Sequence, residues 1–191
     1  MSIAKTMSTA KSMTLCGFFA ALIAVGAFMQ IPLPSLTPLT LQTLFIYLAA
    51  LLLSPRYSLL CVGTYLFIGL IGVPIFTQGG GIGYVVNPTF GYLLGFLVSA
   101  PTMSLLFRKL AKKIQPIRWR IVVSLLIGTA IIYSIGTVYM WGVLNLYLNK
   151  AISFSTAVWT GCVVFLPGDS IKIIVCTLVA PKIIKALRQA A

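Results

Sequence analysis

SMTLCGFFAALIAVGAFMQIPLPSLTPLTLQTLFIYLAALLLSP, residues 12–55, runs for 44 residues without a charged side chain. Only Pro32, Pro34 and Pro38 interrupt it. A hydrocarbon core takes about 20 helical residues to cross. This stretch therefore holds two crossings and a proline-rich turn between them, one helix near 12–31 and a shorter one near 41–54.

The rest of the chain repeats the pattern. Residues 57–107 form a second charge-free run of 51, broken between Pro74 and Pro88. They supply helices near 57–73 and 88–110. Residues 121–149 give a long span, placed near 118–148, and the stretch after Lys150 gives a last one near 155–187. Pro167 and Gly168 fall inside that last stretch. Either they kink one helix, or the helix begins there and 151–166 forms a short outer segment. The expectation is an all-α integral membrane protein of six transmembrane helices, with residues 1–191 forming one transmembrane domain. A composition 60% hydrophobic and 8% charged agrees, since a soluble chain carries roughly 25% charge.

The charges set an orientation. Of fourteen Lys and Arg, twelve fall at one end of the predicted bundle: Lys5, Lys11, Arg56, the six from Arg108 to Arg120, and Lys182, Lys185 and Arg188. Only Lys150 lies at the other end, and Lys172 sits within the last span. By the positive-inside rule both termini are cytoplasmic, with Trp119 as an interfacial anchor. Because these bases flank apolar runs, the lipid surface is their expected partner and nucleic acid is not. Nothing in the first run looks like a cleaved leader, since it continues into a long span.

What the chain lacks restricts its chemistry. There is no His, no Glu, and a single acid, Asp169. Paired-carboxylate catalysis, His-based triads and carboxylate-held metals are all excluded on residue type. Cys16, Cys61, Cys162 and Cys176 stand singly in apolar runs, without the spacing of a metal or redox pair. No cofactor or metal of its own is expected.

An ionisable group within a span is costly and marks a functional site. Asp169 and Lys172 are three residues apart, so on a helix they share a face. Pro167-Gly168-Asp169 before Ser170 also resembles a helix start, where a carboxylate meets the positive end of the helix dipole. Together they suit a neutral polar ligand that both donates and accepts. Asn87-Pro88-Thr89-Phe90-Gly91-Tyr92 opens the fourth helix. In it Asn87 is a ligand contact or a helix cap, and Phe90 and Tyr92 are aromatic walls. Gly91 and Gly95 admit a ligand or a neighbouring helix. Gln42 and Thr43 begin the second helix, and Tyr139 is a further candidate in the fifth. The outward connections 32–40 and 74–87 carry no charge and are rich in Pro, Gly and Thr, the composition of a lid over a pocket. On the first helix Gly17, Ala20, Ala21, Ala24 and Ala27 form a small-residue stripe including Ala20-x-x-x-Ala24. Such a stripe packs against this protein's own bundle or against a partner.

Taken in order, Leu39-Thr40-Leu41-Gln42-Thr43, Tyr65 through Gly72-Val73-Pro74 with Phe76, Asn87 through Tyr92 with Gly95-Phe96, and Leu166-Pro167-Gly168-Asp169 with Lys172 resemble a known family. It is the biotin-specific substrate-binding subunit, the S component or BioY family, of energy-coupling factor (ECF) transporters. Asn87 stands where many relatives have Gly. The resemblance implies an S-component fold in the cell membrane of a prokaryote, and biotin captured from outside at high affinity. It further implies a transmembrane coupling protein and two cytoplasmic ATPase subunits as partners, with Ala20 and Ala24 docking the coupling protein. This chain has no Gly-x-x-x-x-Gly-Lys-Ser/Thr loop, so any ATP hydrolysis falls to those partners. Biotin's ureido ring would meet Asp169, Asn87 and Lys172. Two rival readings remain: an S component or stand-alone carrier for another small vitamin-like solute, and a non-transporting membrane scaffold.

Overall fold

A computed structural model describes residues 8–31 and 38–189. The segment 32–37, which holds much of the first expected lid, and Lys5 lie outside the described residues. The helices are α1 (Thr9–Phe28), α2 (Gln42–Leu52), α3 (Pro55–Leu70), α4 (Phe90–Lys109), α5 (Ile117–Gly142), α6 (Phe154–Gly161) and α7 (Leu166–Gln189). Among the described residues four stretches are long and apolar enough to cross a membrane: Thr9–Phe28, Phe90–Lys112, Ile117–Tyr147 and Phe154–Leu187. The last contains both α6 and α7, so the bundle has six helical elements, the sixth interrupted.

The interruption chooses between the two readings of the last span. α6 ends at Gly161, Cys162 leaves helical geometry, and a single tight turn at Val163–Phe165 leads into α7. Pro167 then occupies the first turn of α7, where its missing N–H would have had no partner anyway. It starts a helix and does not kink one.

α2 has only 11 residues, and eight of them are buried. A helix apolar all round belongs inside a bundle, and α2 packs against α1, α4 and α7. Its central position turns Gln42, Thr43 and Tyr47 into interior polar groups. At its far end the Leu53 carbonyl, an orphan of helix termination, accepts from Ser104 Oγ at 2.7 Å and from Arg108 Nη2 at 2.8 Å. Before α2, the short strands β1 (Gln30–Ile31) and β2 (Leu39–Thr40) pair antiparallel. They tie the chain that leaves α1 to the chain that enters α2.

α4 and α5 make the most extensive helix pair, and glycine explains why. A Cβ at Gly95 would lie 3.0 Å from the Ile132 backbone, and one at Gly91 would run into the Tyr139 ring. These glycines admit a neighbouring helix, not a ligand.

The outer faces are lipid-like. On α7, Ile171, Ile174, Val175, Leu178 and Val179 are exposed, a stripe no water-facing helix would carry. Trp119 at one end of the bundle, and Trp141, Tyr147 and Trp159 toward the other, are exposed as well. They match the aromatic belts of a membrane–water boundary.

Candidate functional site: a buried charge pair in an open cleft

Helix alternation brings residues 29–31 and 38–41, with the connections 71–89 and 143–165, to one end of the bundle. Within that end lies a cleft enclosing about 560 Å³, open water at its mouth included. Its apolar wall comes from Leu93, Phe96, Ile132 and Phe165, and its polar wall from α2, α5 and α7.

The polar wall centres on Asp169 and Lys172, 4% and 6% exposed. Asp169 Oδ1 accepts from Lys172 Nζ at 2.6 Å and from Thr43 Oγ1 at 3.0 Å. Its other oxygen, Oδ2, accepts from the Tyr133 hydroxyl at 2.6 Å. Lys172 Nζ also donates to Thr43 Oγ1 at 2.7 Å. Taking two charges from water costs several kcal/mol each, and good mutual geometry with extra hydrogen bonds is what repays it. Here α7 supplies both ions, α2 supplies Thr43, and α5 supplies Tyr133. Asp169 lies in the first turn of α7, where the helix dipole also favours a negative charge.

Counting protons and lone pairs shows what is left for a ligand. An ammonium has three N–H donors and a carboxylate about four acceptor positions. Two Lys172 donors and three Asp169 acceptor positions are used by the contacts above. The wall is neutral overall, and the count leaves one Lys172 donor and one acceptor position on Asp169 Oδ2.

Gln42 extends this wall. Its Nε2 donates to the Tyr65 hydroxyl at 2.9 Å, and Oε1 accepts from Thr40 Oγ1 at 3.1 Å. Tyr65 in turn donates to the Ile75 carbonyl at 3.1 Å, so the 71–89 connection is tied to α2.

That connection is built around Tyr84. Its hydroxyl lies 2.9 Å from both Thr77 Oγ1 and Thr89 Oγ1. Asn87 Oδ1 accepts from the Thr89 N–H at 2.9 Å and from its hydroxyl at 2.8 Å, while Asn87 Nδ2 donates to Gln78 Oε1 at 2.8 Å. Gly79 and Gly81, at φ +117° and +94°, provide the turns that side-chain-bearing residues rarely adopt.

Of the residues singled out from sequence, Asp169, Lys172, Gln42, Thr43 and Tyr92 line the cavity. Asn87, Phe90, Gly91 and Tyr139 do not appear in its lining. Asn87 braces Thr89, while Gly91 makes room for Tyr139. The Tyr139 hydroxyl donates to the Val85 carbonyl, and its ring stands 6.0 Å from that of Phe90. Ala20 is 7% exposed inside this chain's own core, whereas Gly17 and Ala21 are exposed and Ala24 is half-buried. The stripe on α1 spans roughly 120° around the helix, and its Ala20–Ala27 edge turns inward.

Tyr133 was not among the sequence candidates, nor were the lining hydroxyls of Thr77 and Tyr84. Tyr133 and Tyr139 share a span, but six residues separate them by about 240° around a helix. Only one can face the cavity, and periodicity alone does not say which.

The sequence model of the BioY family matches residues 2–189. A probable biotin transporter BioY of Lysinibacillus sphaericus is 40% identical over 179 residues, covering 94% of this chain and 89% of that protein. The biotin transporter BioY of Thermotoga maritima is 39% identical over 173 residues, with coverage of 88% and 93%. The crystal structure of the S-component for biotin from an ECF-type ABC transporter superposes with a TM-score of 0.79. That match is 26% identical and covers 94% of this chain and 95% of the other. With the ECF S-component fold and a family match along nearly its whole length, the chain belongs to the BioY family.

Proposed function

We propose that this chain is the biotin-binding S component of an ECF importer, capturing biotin outside the cell and releasing it inside. The observation that carries this reading is the neutral Asp169–Lys172 wall, with one Lys172 donor and one Asp169 Oδ2 acceptor position left by its internal contacts. A cyclic urea presents N–H and C=O side by side. One ureido N–H would donate to Asp169 Oδ2, and the ureido oxygen would accept from Lys172 Nζ. Leu93, Phe96, Ile132 and Phe165 would cover the thioether ring and valeryl chain, which seek apolar surface. The valeryl carboxylate is then left to the Thr77 hydroxyl, since Thr89 donates its proton to Asn87 Oδ1 and Tyr84 donates to Thr89.

Sidedness follows the charges. Lys11, Arg56, the cluster from Arg108 to Arg120, Lys182 and Lys185 lie at the end of the bundle away from the cavity. In this reading that end and both termini are cytoplasmic, and the cavity opens outward. The partners are a transmembrane coupling protein, gripping the exposed Gly17 and Ala21 and the half-buried Ala24 on α1, and two cytoplasmic ATPase subunits. The chain itself hydrolyses no ATP and carries no cofactor.

The test is equilibrium binding of biotin to the purified, detergent-solubilised chain, with Asp169→Asn and Lys172→Ala alongside. Saturable wild-type binding that both substitutions weaken at least tenfold is the expected result. A well-folded wild type that binds no biotin overturns the substrate, and binding untouched by either substitution moves the site elsewhere.

A further inference from the structure

Tyr92 lines the cavity, yet its hydroxyl is committed elsewhere, donating to the Gly161 carbonyl at 2.7 Å. Gly161 is the last residue of α6, where helix carbonyls lack intrahelical partners. Two glycines, Gly161 itself and Gly136, make room for this side chain. A Cβ at Gly136 on α5 would collide with the Tyr92 ring, and one at Gly161 with its hydroxyl.

The packing gives this contact its weight. Most buried apolar residues fall into two clusters, a large one through the bundle and a small one of Met140, Leu144 and Ala157 under α6. Among the described residues, Tyr92 is the side chain packed against both. Four residues beyond Gly161 stands Phe165 on the cavity wall, and Asp169 and Lys172 follow on α7.

We propose that Tyr92 is a positioning residue that latches α6 and the 162–165 break to the bundle, and that its release opens the cavity on that side. Tyr92 thereby sets how long a bound ligand stays. This rests on the cavity being the biotin site proposed above. A ligand against the Tyr92 ring holds the latch shut. When the hydroxyl leaves the Gly161 carbonyl, α6 keeps its contacts to α5, and the break that carries Phe165 is free to swing.

Cys162, beside Gly161 and half-buried, is a built-in reporter, with the buried Cys176 as internal reference. The experiment measures biotin dissociation by rapid mixing, and N-ethylmaleimide labelling of Cys162 by mass spectrometry, with and without biotin. Wild type, Tyr92→Phe and Gly161→Ala are compared. The latch predicts dissociation faster by about fivefold to tenfold in Tyr92→Phe, the scale of one lost hydrogen bond, with association little changed. It also predicts faster Cys162 labelling that biotin no longer slows, and unchanged Cys176. Gly161→Ala pushes the hydroxyl off from the opposite side and should reproduce both effects, which covers a failure of Tyr92→Phe to fold. Weakened binding with Cys162 labelling unchanged would place the hydroxyl on the ligand and overturn the latch. So would wild-type behaviour in both measurements. If wild type binds no biotin, the substrate reading fails, while ligand-free labelling of the variants still decides the latch.

Discussion

Asp169 and Lys172 behave as one group, because neither charge is tolerable at this depth without the other. Removing one leaves the other buried and uncompensated, at a cost of about 3–5 kcal/mol. Asp169→Asn and Lys172→Ala should each lower the unfolding midpoint of the ligand-free protein. The double replacement Asp169→Asn with Lys172→Met should recover most of that loss while binding no biotin. A double variant destabilised by the sum of the two singles would mean that the pair contributes no coupling. Tyr133 holds Asp169 Oδ2 through a charge-assisted hydrogen bond, worth about 1.5–3 kcal/mol. Tyr133→Phe should therefore raise the biotin Kd tenfold or more with little change in secondary structure. An unchanged Kd would show Asp169 to be held well enough by Thr43 and Lys172. The acid and the base could be read from sequence because charge is rare in a span. Tyr133 could not, because a tyrosine among apolar residues looks the same whether it packs or binds.

At the scale of elements, α1 shows the limit of spacing arguments. Its small residues recur at helical intervals, but the stripe is wide enough for one edge to face the core and the other to face outward. The outward edge is Gly17 and Ala21. In vesicles containing the full transporter, Gly17→Trp or Ala21→Trp should abolish uptake while the purified chain still binds biotin. Ala20→Trp should instead destabilise the chain by overpacking, by about 1–3 kcal/mol or more, as read by thermal unfolding. Retained uptake in both outward variants would remove that face from the partner interface. The α6–α7 break is a second case. Pro167-Gly168-Asp169 carries the signature of a helix start, yet the apolar run through it equally suits one kinked helix. Tertiary contacts settle it: the Gly161 carbonyl is taken by Tyr92, and the start of α7 lies against Leu39.

For the whole molecule, the asymmetric charges and the position of the cavity make a topological prediction. A cysteine placed at Lys150, in a chain without its native cysteines, should react with a membrane-impermeant maleimide added to intact cells. One at Lys112 should react only after permeabilisation. The opposite pattern would invert the protein and turn the cavity to the cytoplasm.

Hydropathy and charge spacing alone determined that the chain is a helical membrane protein, that it has six helical elements, and where its single acid lies. These follow from the cost of exposing polar groups to lipid, a property each stretch of chain has by itself. Only the tertiary structure decided which polar groups meet. Thr43, Tyr133 and Asp169 are far apart in sequence, and lipid and protein interior are equally apolar. Hydrophobicity therefore cannot say which face of a span looks inward. Close packing at Gly91, Gly95 and Gly136 rotates the helices into register, and that register places Tyr133 on the cavity and Tyr139 beside it.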